Sequence, residues 1–449
     1  MRIALCHYRI GETDGVSLEM DKWKEILEAM GHEVFMIAGS AGTTEGYVIP
    51  ELGYRYEEDL RIERNAYVEF WEYANESELM AAIEKAADRL EERFTRIFQA
   101  LQIELVIPNN IFAIGRSLST ALALYRTIEK LGLQVICHHH DFHWERVNFS
   151  NPTCQGVADL LESLYPPIGE KYRHVVINHI AQESLKKRKG VDSVVVPNVF
   201  DFEGDLWKQD DYNADFKKKL GLREQDVIFL QATRVTNRKA IELAIDQIAV
   251  LNQESIRKNW LGKTLYDGRV FKDDTEFVLL LPGMIESEDG YEKRLTERAE
   301  KKGVSLRWIG EWVDHSRTRT EKHKVYSLWD AYVFADFITY PSIWEGWGNQ
   351  FLEAVFAKKP ILLFEYAVYK TDIESAGFEV ISLGDAYQTD DEGMAFIHPA
   401  IFEKTAYQIQ ACLTDSQVYQ KMVEHNFQVG LRTFSHTNLQ QILIQLMKD

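Results

Sequence analysis

The chain has 449 residues, 45% of them apolar and 27% charged, which reads as ordinary globular protein and excludes a disordered or membrane-embedded chain. At about 150 residues per domain, that length allows two or three domains. A formal net charge of -19 makes repulsion from nucleic acid and anionic lipid the default expectation.

Four scattered cysteines, Cys6, Cys137, Cys154 and Cys412, form no Cys-x-x-Cys pair and suggest neither a disulfide framework nor a thiolate zinc site. The first residues run into a strand pattern with no signal-peptide signature, and no apolar stretch nears the ~18 residues of a spanning helix. The expectation is a cytoplasmic protein with no stable membrane insertion.

Strands are expected at residues 2–6, 33–38, 105–107, 134–138, 175–178 and 193–196, with helices such as 17–30 and 118–131 between them. This alternation implies βαβ units, and the continuous apolar runs fit a parallel sheet covered on both faces. Residues 47–104 carry many charges and read as long exposed helices. A second series follows at 227–232, 276–281, 305–309, 336–340, 360–364 and 379–382, with 253–274 as a loop extension. The strand ending at Pro197-Asn198 marks a boundary. The final stretch places Leu439, Ile442, Leu443 and Leu446 on one helical face that needs a partner. The expected domains are 1–198, 199–425 and a terminal helix, 426–449, packing back on the first.

The richest segment for chemistry is Tyr340-Pro341-Ser342-Ile343-Trp344-Glu345-Gly346-Trp347-Gly348-Asn349-Gln350-Phe351-Leu352-Glu353-Ala354. It reads as strand, glycine-rich turn, then helix. A helix amino end binds diphosphate well, and Gly346 and Gly348 permit close backbone approach. Glu345 and Glu353 can accept hydrogens from sugar hydroxyls. Two glutamates eight apart are commonplace in an acidic chain; the whole string in its strand-turn-helix setting is far more specific.

The segment resembles the Glu-x7-Glu signature of retaining GT-B glycosyltransferases, carbohydrate-active family four (glycosyl transferases group 1). The resemblance implies an α/β fold of two facing Rossmann-like domains with a C-terminal helix docking back. It also implies that Glu345 contacts the donor hexose and Glu353 the nucleotide ribose. Asn349-Gln350 stand where the family usually has an aliphatic residue after the second glycine.

Further matches follow in chain order. Gly11-Glu12-Thr13-Asp14-Gly15 resembles the family's Gly-Gly-Val turn with Asp14 in place of a glycine, so Gly15 falls near the donor and Asp14 near the acceptor. Four histidines near an aspartate, Cys137-His138-His139-His140-Asp141-Phe142-His143-Trp144-Glu145-Arg146, invite a metal reading. Alternation along a strand keeps His138, His139 and His140 from converging, and no Asp-x-Asp occurs. The expectation is no metal: His140 faces the reacting sugar, while Asp141, His143 and Arg146 shape the acceptor pocket. Arg234 and Lys239, after the strand that opens the second series, resemble the family's Arg-x4-Lys element for the departing diphosphate. Gly310, in Trp308-Ile309-Gly310, falls where the family contacts the base. Gly346, Trp347, Gly348, Asn349 and Gln350 complete the expected donor-binding set.

The reading is therefore a metal-independent, retaining hexosyltransferase of glucose or mannose type, in which Arg234, Lys239, His140 and Glu345 act on the reacting groups. It needs no cofactor beyond the nucleotide-sugar co-substrate, whose base (UDP or GDP) stays open. Its partners are that nucleotide sugar and a small-molecule acceptor such as a sugar or phosphorylated metabolite, and a homo-oligomer is possible. Lys186-Lys187-Arg188-Lys189 keeps a lipid or polysaccharide acceptor at a membrane surface as the alternative. A nucleotide-sugar epimerase and a non-catalytic binding partner are the remaining ones.

Overall fold

A computed structural model describes the whole chain except Thr13, Asp14, Glu288, Glu321, Lys322 and Asp449. Asp14 therefore lies outside the described residues. The chain divides into two compact units, Met1–Asn198 with His436–Asp449, and Val199–Ser435. Residues 426–435, expected in the terminal segment, belong to the second unit. They complete the long helix Ser416–Thr433, which buries Val423, Asn426, Phe427 and Val429 there.

The first unit is built on seven parallel strands: β1 (Arg2–His7), β2 (Glu33–Ala38), β3 (Tyr47–Val48), β4 (Leu105–Pro108), β5 (Gln134–His139), β6 (Tyr172–Val176) and β7 (Val194–Val195). Their order is β3-β2-β1-β4-β5-β6-β7. The crossover direction reverses between β1 and β4, the place where open α/β sheets gather ligands at their carboxyl ends. β1, β4 and β5 are almost wholly buried, which is why they read as apolar runs.

Residues 47–104 are not simply exposed helices. The helix Glu76–Leu101 turns Leu79, Ile83, Ala87, Leu90, Phe94 and Phe98 into the first core. Its other faces carry the charges that dominate the sequence, so a period of 3.6 is masked by composition. The terminal helix His436–Leu446 buries Leu439, Leu443 and Leu446 beside the helix Gly15–Ala29. Arg173 donates to the Leu446 carbonyl at 2.5 Å, which satisfies one open end of that helix.

The second unit carries β8 (Val227–Leu230), β9 (Phe277–Leu281) and β10 (Ser305–Trp308). A small sheet follows, made of β11 (Val313–Asp314), β12 (Thr318–Arg319) and β13 (Lys324–Ser327), which the periodicity did not announce. β14 (Phe337–Tyr340), β15 (Ile361–Leu363) and β16 (Ile381–Ser382) complete a six-stranded parallel sheet ordered β10-β9-β8-β14-β15-β16. Its switch point lies between β8 and β14. Residues 253–274 do more than extend a loop: Trp260 is fully buried against Phe271 and Phe277.

Candidate active site

In the second unit, pairing of β8 with β14 brings together chain segments about a hundred residues apart. The turn after β8 closes as a 3-10 helix, Asn237–Lys239, and the turn after β14 carries Glu345. Lys239 Nζ donates to Glu345 Oε1, and Arg238 Nη1 donates to Glu345 Oε2 at 2.9 Å. Lys239 is 3% exposed and Glu345 8%. Burial alone works against the Glu345 carboxylate, but Lys239 and Arg238 outweigh it and hold its pKa below the ordinary glutamate value. Burial also lowers Lys239, against the opposing pull of Glu345. Glu345 is therefore ionised at neutral pH.

Arg238 ties the two turns together further. It donates to the Trp344 carbonyl at 3.2 Å, and its guanidinium stands 5.3 Å from the Trp344 ring centroid. Ile343 N–H donates to the Arg238 carbonyl at 3.0 Å. The sequence pointed to Arg234 as Lys239's companion. Arg234 is half-exposed and holds Glu286 at 2.8 Å, and Arg238 joins Lys239 on the Glu345 carboxylate. The sequence signal for Arg238 was only its adjacency to Lys239.

The glycine-rich turn is fixed by Tyr366. Gly348 sits at φ +128°, and a Cβ there would collide with the Tyr366 hydroxyl, which donates to the Trp347 carbonyl at 2.8 Å. Trp347 is buried and meets Phe434 edge-on at 5.5 Å. Its ring packs the interior of this unit. Helix Asn349–Phe356 then begins, with Asn349 and Gln350 half-buried in its first turn. One turn further on, Glu353 is buried and accepts from the Tyr332 hydroxyl at 2.9 Å. Gly310 is exposed after β10. The loops after β8 and β9 run so close that a Cβ at Gly283 would overlap the Thr233 carbonyl, and Val235 bridges Ile285 in parallel register.

In the first unit, the turns after β4 and β5 interlock. The His140 N–H donates to Asn110 Oδ1 at 2.8 Å, and the His140 ring nitrogen Nε2 lies 3.3 Å from Asn109 Oδ1. Asn110 Nδ2 donates to Asp141 Oδ1 at 2.9 Å, and Arg146 Nε pairs with Asp141 Oδ2. The Asn109-Asn110 pair escaped the sequence reading; its signal is a polar doublet closing an apolar strand. His143 is half-buried, with its ring pushed down to about 4 chiefly by burial. Gly15 opens the helix Gly15–Ala29.

The histidine run splits as alternation requires. His138 packs between Trp23 and His140, at 4.4 and 4.2 Å between ring centroids, and burial pushes it down to about 3. His139 turns to the other face, where its Nε2 meets His174 Nδ1 at 3.0 Å. Burial lowers both, His174 to about 4, so they form a neutral pair. Cys137 shares that face, and one ligand-type atom from each of the three lies within 4.8 Å of the others.

The basic cluster at Lys186–Lys189 is partly neutralised. Lys186 pairs with Asp192 at 2.6 Å, Lys189 with Glu162 at 2.8 Å, and Arg188 lies over Trp144. No helix of the described residues is long and apolar enough to cross a membrane.

No protein-family model matches the chain. Full-length relatives do. The chain is 42% identical over 434 residues to a mannosylglucosylglycerate synthase of Petrotoga mobilis, covering 97% of this chain and 98% of that protein. It is 40% identical over 445 residues to the mannosylglucosylglycerate synthase of Thermotoga maritima, covering 99% of each. Among solved structures, the Anabaena protein HepE in complex with UDP and glucose superposes with a TM-score of 0.60 at 11% identity, over 100% of both chains. That likeness shows the two-domain Rossmann-like fold. The chain is a nucleotide-sugar-dependent glycosyltransferase of GT-B fold and family-four type, and it belongs to the family of the mannosylglucosylglycerate synthases.

Proposed function

We propose that the enzyme transfers a mannose-type hexose from a nucleotide-diphosphate sugar to a sugar hydroxyl of glucosylglycerate, with retention of anomeric configuration. The observation that carries this reading is end-to-end likeness to two proteins named for that product, in a chain that keeps Glu345 charged at the switch point of its second sheet. HepE, whose solved complex holds UDP and glucose, supports a nucleoside diphosphate as the departing group.

The proposed roles follow from the geometry. Glu345, held ionised, faces the donor hexose and stabilises positive charge as the glycosidic bond stretches. Arg238 and Lys239 bracket that carboxylate, and Lys239 with Arg234 balances the departing diphosphate. The amino end of Asn349–Phe356 adds a favourable dipole for phosphate, with Gly346, Gly348, Asn349 and Gln350 beside it. Glu353 takes the ribose and Gly310 lies by the base. Gly15 remains assigned to the donor side. His140 orients the reacting hexose, and Asp14, Asp141, His143 and Arg146 belong to the acceptor side. No residue is assigned as a covalent nucleophile. Metal independence is part of the proposal.

Nucleotide-diphosphate mannoses and glucoses offered with glucosylglycerate test it. The expected product is an α-linked trisaccharide-like acid, read by mass and by proton coupling. Hydrolysis without transfer, or transfer to glucosylglycerate with none of these donors, sinks the reading. A β-linked product sinks retention alone.

A further inference from the structure

Two arginines from neighbouring strand ends of the first unit stand over one tyrosine, and a third from the next strand end lies within electrostatic reach of it. Arg9 follows β1, Arg116 follows β4 and Arg146 follows β5, all at the carboxyl edge of the sheet. The guanidinium carbons of Arg9 and Arg116 stand 4.8 and 4.4 Å from the Tyr54 ring centroid. Arg146 is near enough that the Tyr54 and Tyr8 phenols act on its charge. In a chain of net charge -19, three permanent cations have been gathered at the switch point.

A purely structural role would have these arginines serve their own carboxylates and no more. Such partners exist: Glu12 for Arg9 at 3.1 Å, Glu63 for Arg116 at 3.6 Å, and Asp141 for Arg146. The pairs of Arg116 and Arg146 engage only part of a five-donor fork. Arg116 is the fixed member: its side chain is 16% exposed and it donates to the Tyr54 carbonyl at 2.7 Å. Its Nε is buried without a hydrogen-bond partner. Arg9 and Arg146 are the reachable ones, with side chains 35% and 43% exposed. The Tyr8 hydroxyl, fully buried behind Tyr54 and near the Ser117 backbone, also completes no hydrogen bond. Two of the negative groups nearby are muted: burial raises Asp59 to about 7 and raises Glu63 as well.

We propose that Arg9, Arg116 and Arg146, arranged around Tyr54, form a carboxylate-binding subsite that recognises the acidic end of the acceptor. This rests on reading the acceptor as a sugar-linked glycerate, whose carboxylate survives glycosylation and lies away from the reacting hydroxyl. A planar carboxylate suits the guanidinium fork, and Arg-to-carboxylate bonds are the strong, charge-assisted kind. The subsite discriminates between glucosylglycerate and its neutral counterpart glucosylglycerol, which differs only at that end. Contacts so far from the breaking bond are alike in ground and transition states, so they act through acceptor KM.

Two measurements keep this inference separable from the proposed function. The first is calorimetric binding of free glycerate, with glycerol as control, to wild type, Arg9→Gln and Arg146→Gln. Glycerate binding that each variant weakens about tenfold, the worth of one charge-assisted hydrogen bond, supports the subsite whatever the transfer reaction proves to be. Glycerate binding unaffected by either variant, or no binding to wild type at millimolar concentration, overturns it. The second is the ratio of kcat/KM for glucosylglycerate to that for glucosylglycerol. Wild type favours the acid by roughly ten- to a hundredfold, and the ratio falls toward one in the variants. The ratio is blind to the folded fraction of a weakened protein. Equal losses on both acceptors overturn the subsite while leaving the transferase standing.

Discussion

The strand-edge cluster of the second unit is made of charge, and that of the first is made of neutral rings with charge only at its rim. Glu345, Lys239 and Arg238 form a buried, mutually satisfied ion cluster. His138, His139 and His174 are buried as uncharged imidazoles. Removing one member of a buried ion pair leaves a charge stranded, whereas removing one of several neutral rings forfeits only packing and a hydrogen bond. The second unit is therefore where single substitutions act most severely. On the proposed roles, a preset field in the second unit suits a step in which charge develops.

The largest effect is expected at Glu345. Glu345→Gln lowers kcat by about two to three decades, an electrostatic loss of about 2–4 kcal/mol. It leaves product nucleoside diphosphate binding close to wild type by calorimetry, because a bare nucleotide has no hexose. Lys239→Ala strands the buried Glu345 and costs about 3–5 kcal/mol of stability, softened by Arg238, read as a fall in denaturation midpoint. Normal turnover in Glu345→Gln would reduce the cluster to a structural clasp and break the contrast.

Next is the turn itself. Gly348→Ala must adopt a φ that side chains avoid and meet Tyr366, so a loss of roughly 1–3 kcal/mol and a raised donor KM are expected. A variant with unchanged donor KM would show that the glycine shapes the chain but not the donor site. Glu353→Ala is milder: about tenfold weaker nucleotide binding, near 1.4 kcal/mol, with kcat little altered. If product nucleotide binds this variant normally, the ribose assignment falls and Glu353 is only the partner of Tyr332.

A smaller effect sharpens the first unit's side. Asp59 is raised to about 7 because burial outweighs its bond from Ser117, at 2.6 Å, and the field of Arg116. An acid whose folded pKa exceeds its unfolded one is protonated preferentially in the native state. Its contribution is thus complete below about pH 4 and lost as pH rises through about 7. Asp59→Asn should be the more stable protein at pH 8, by on the order of 1 kcal/mol, and flatter across that window. Equal slopes for the two proteins would show Asp59 ionised throughout. The smallest expected effect is none: transfer survives excess chelator. Activity abolished by chelator and restored by one divalent ion would overturn metal independence and direct attention to Cys137, His139 and His174.

The double series of strands was legible because parallel strands covered on both faces are nearly unbroken apolar runs, as in Val227–Leu230 and Phe277–Leu281. Glu345 and Glu353 were legible because a strand, a glycine turn and a helix are local in sequence. What could not be read was tertiary. Nothing local says that Arg238 joins Lys239 on Glu345; the 3-10 turn decides it. Nor does local pattern say that Tyr332 caps Glu353, or that Trp347 packs against Phe434. The helix Glu76–Leu101 was misjudged because its charge hid one apolar stripe.

The contact of Gly283 with Thr233 limits how the loops after β8 and β9 can be exchanged. Because no side chain fits at that crossing and Val235 and Ile285 continue the ladder past the strand ends, the loops after β8 and β9 behave as one graft. Transplanting either alone, with any residue larger than glycine at the crossing, would clash with the native sibling. The pair, moved together, is the smallest exchangeable cassette.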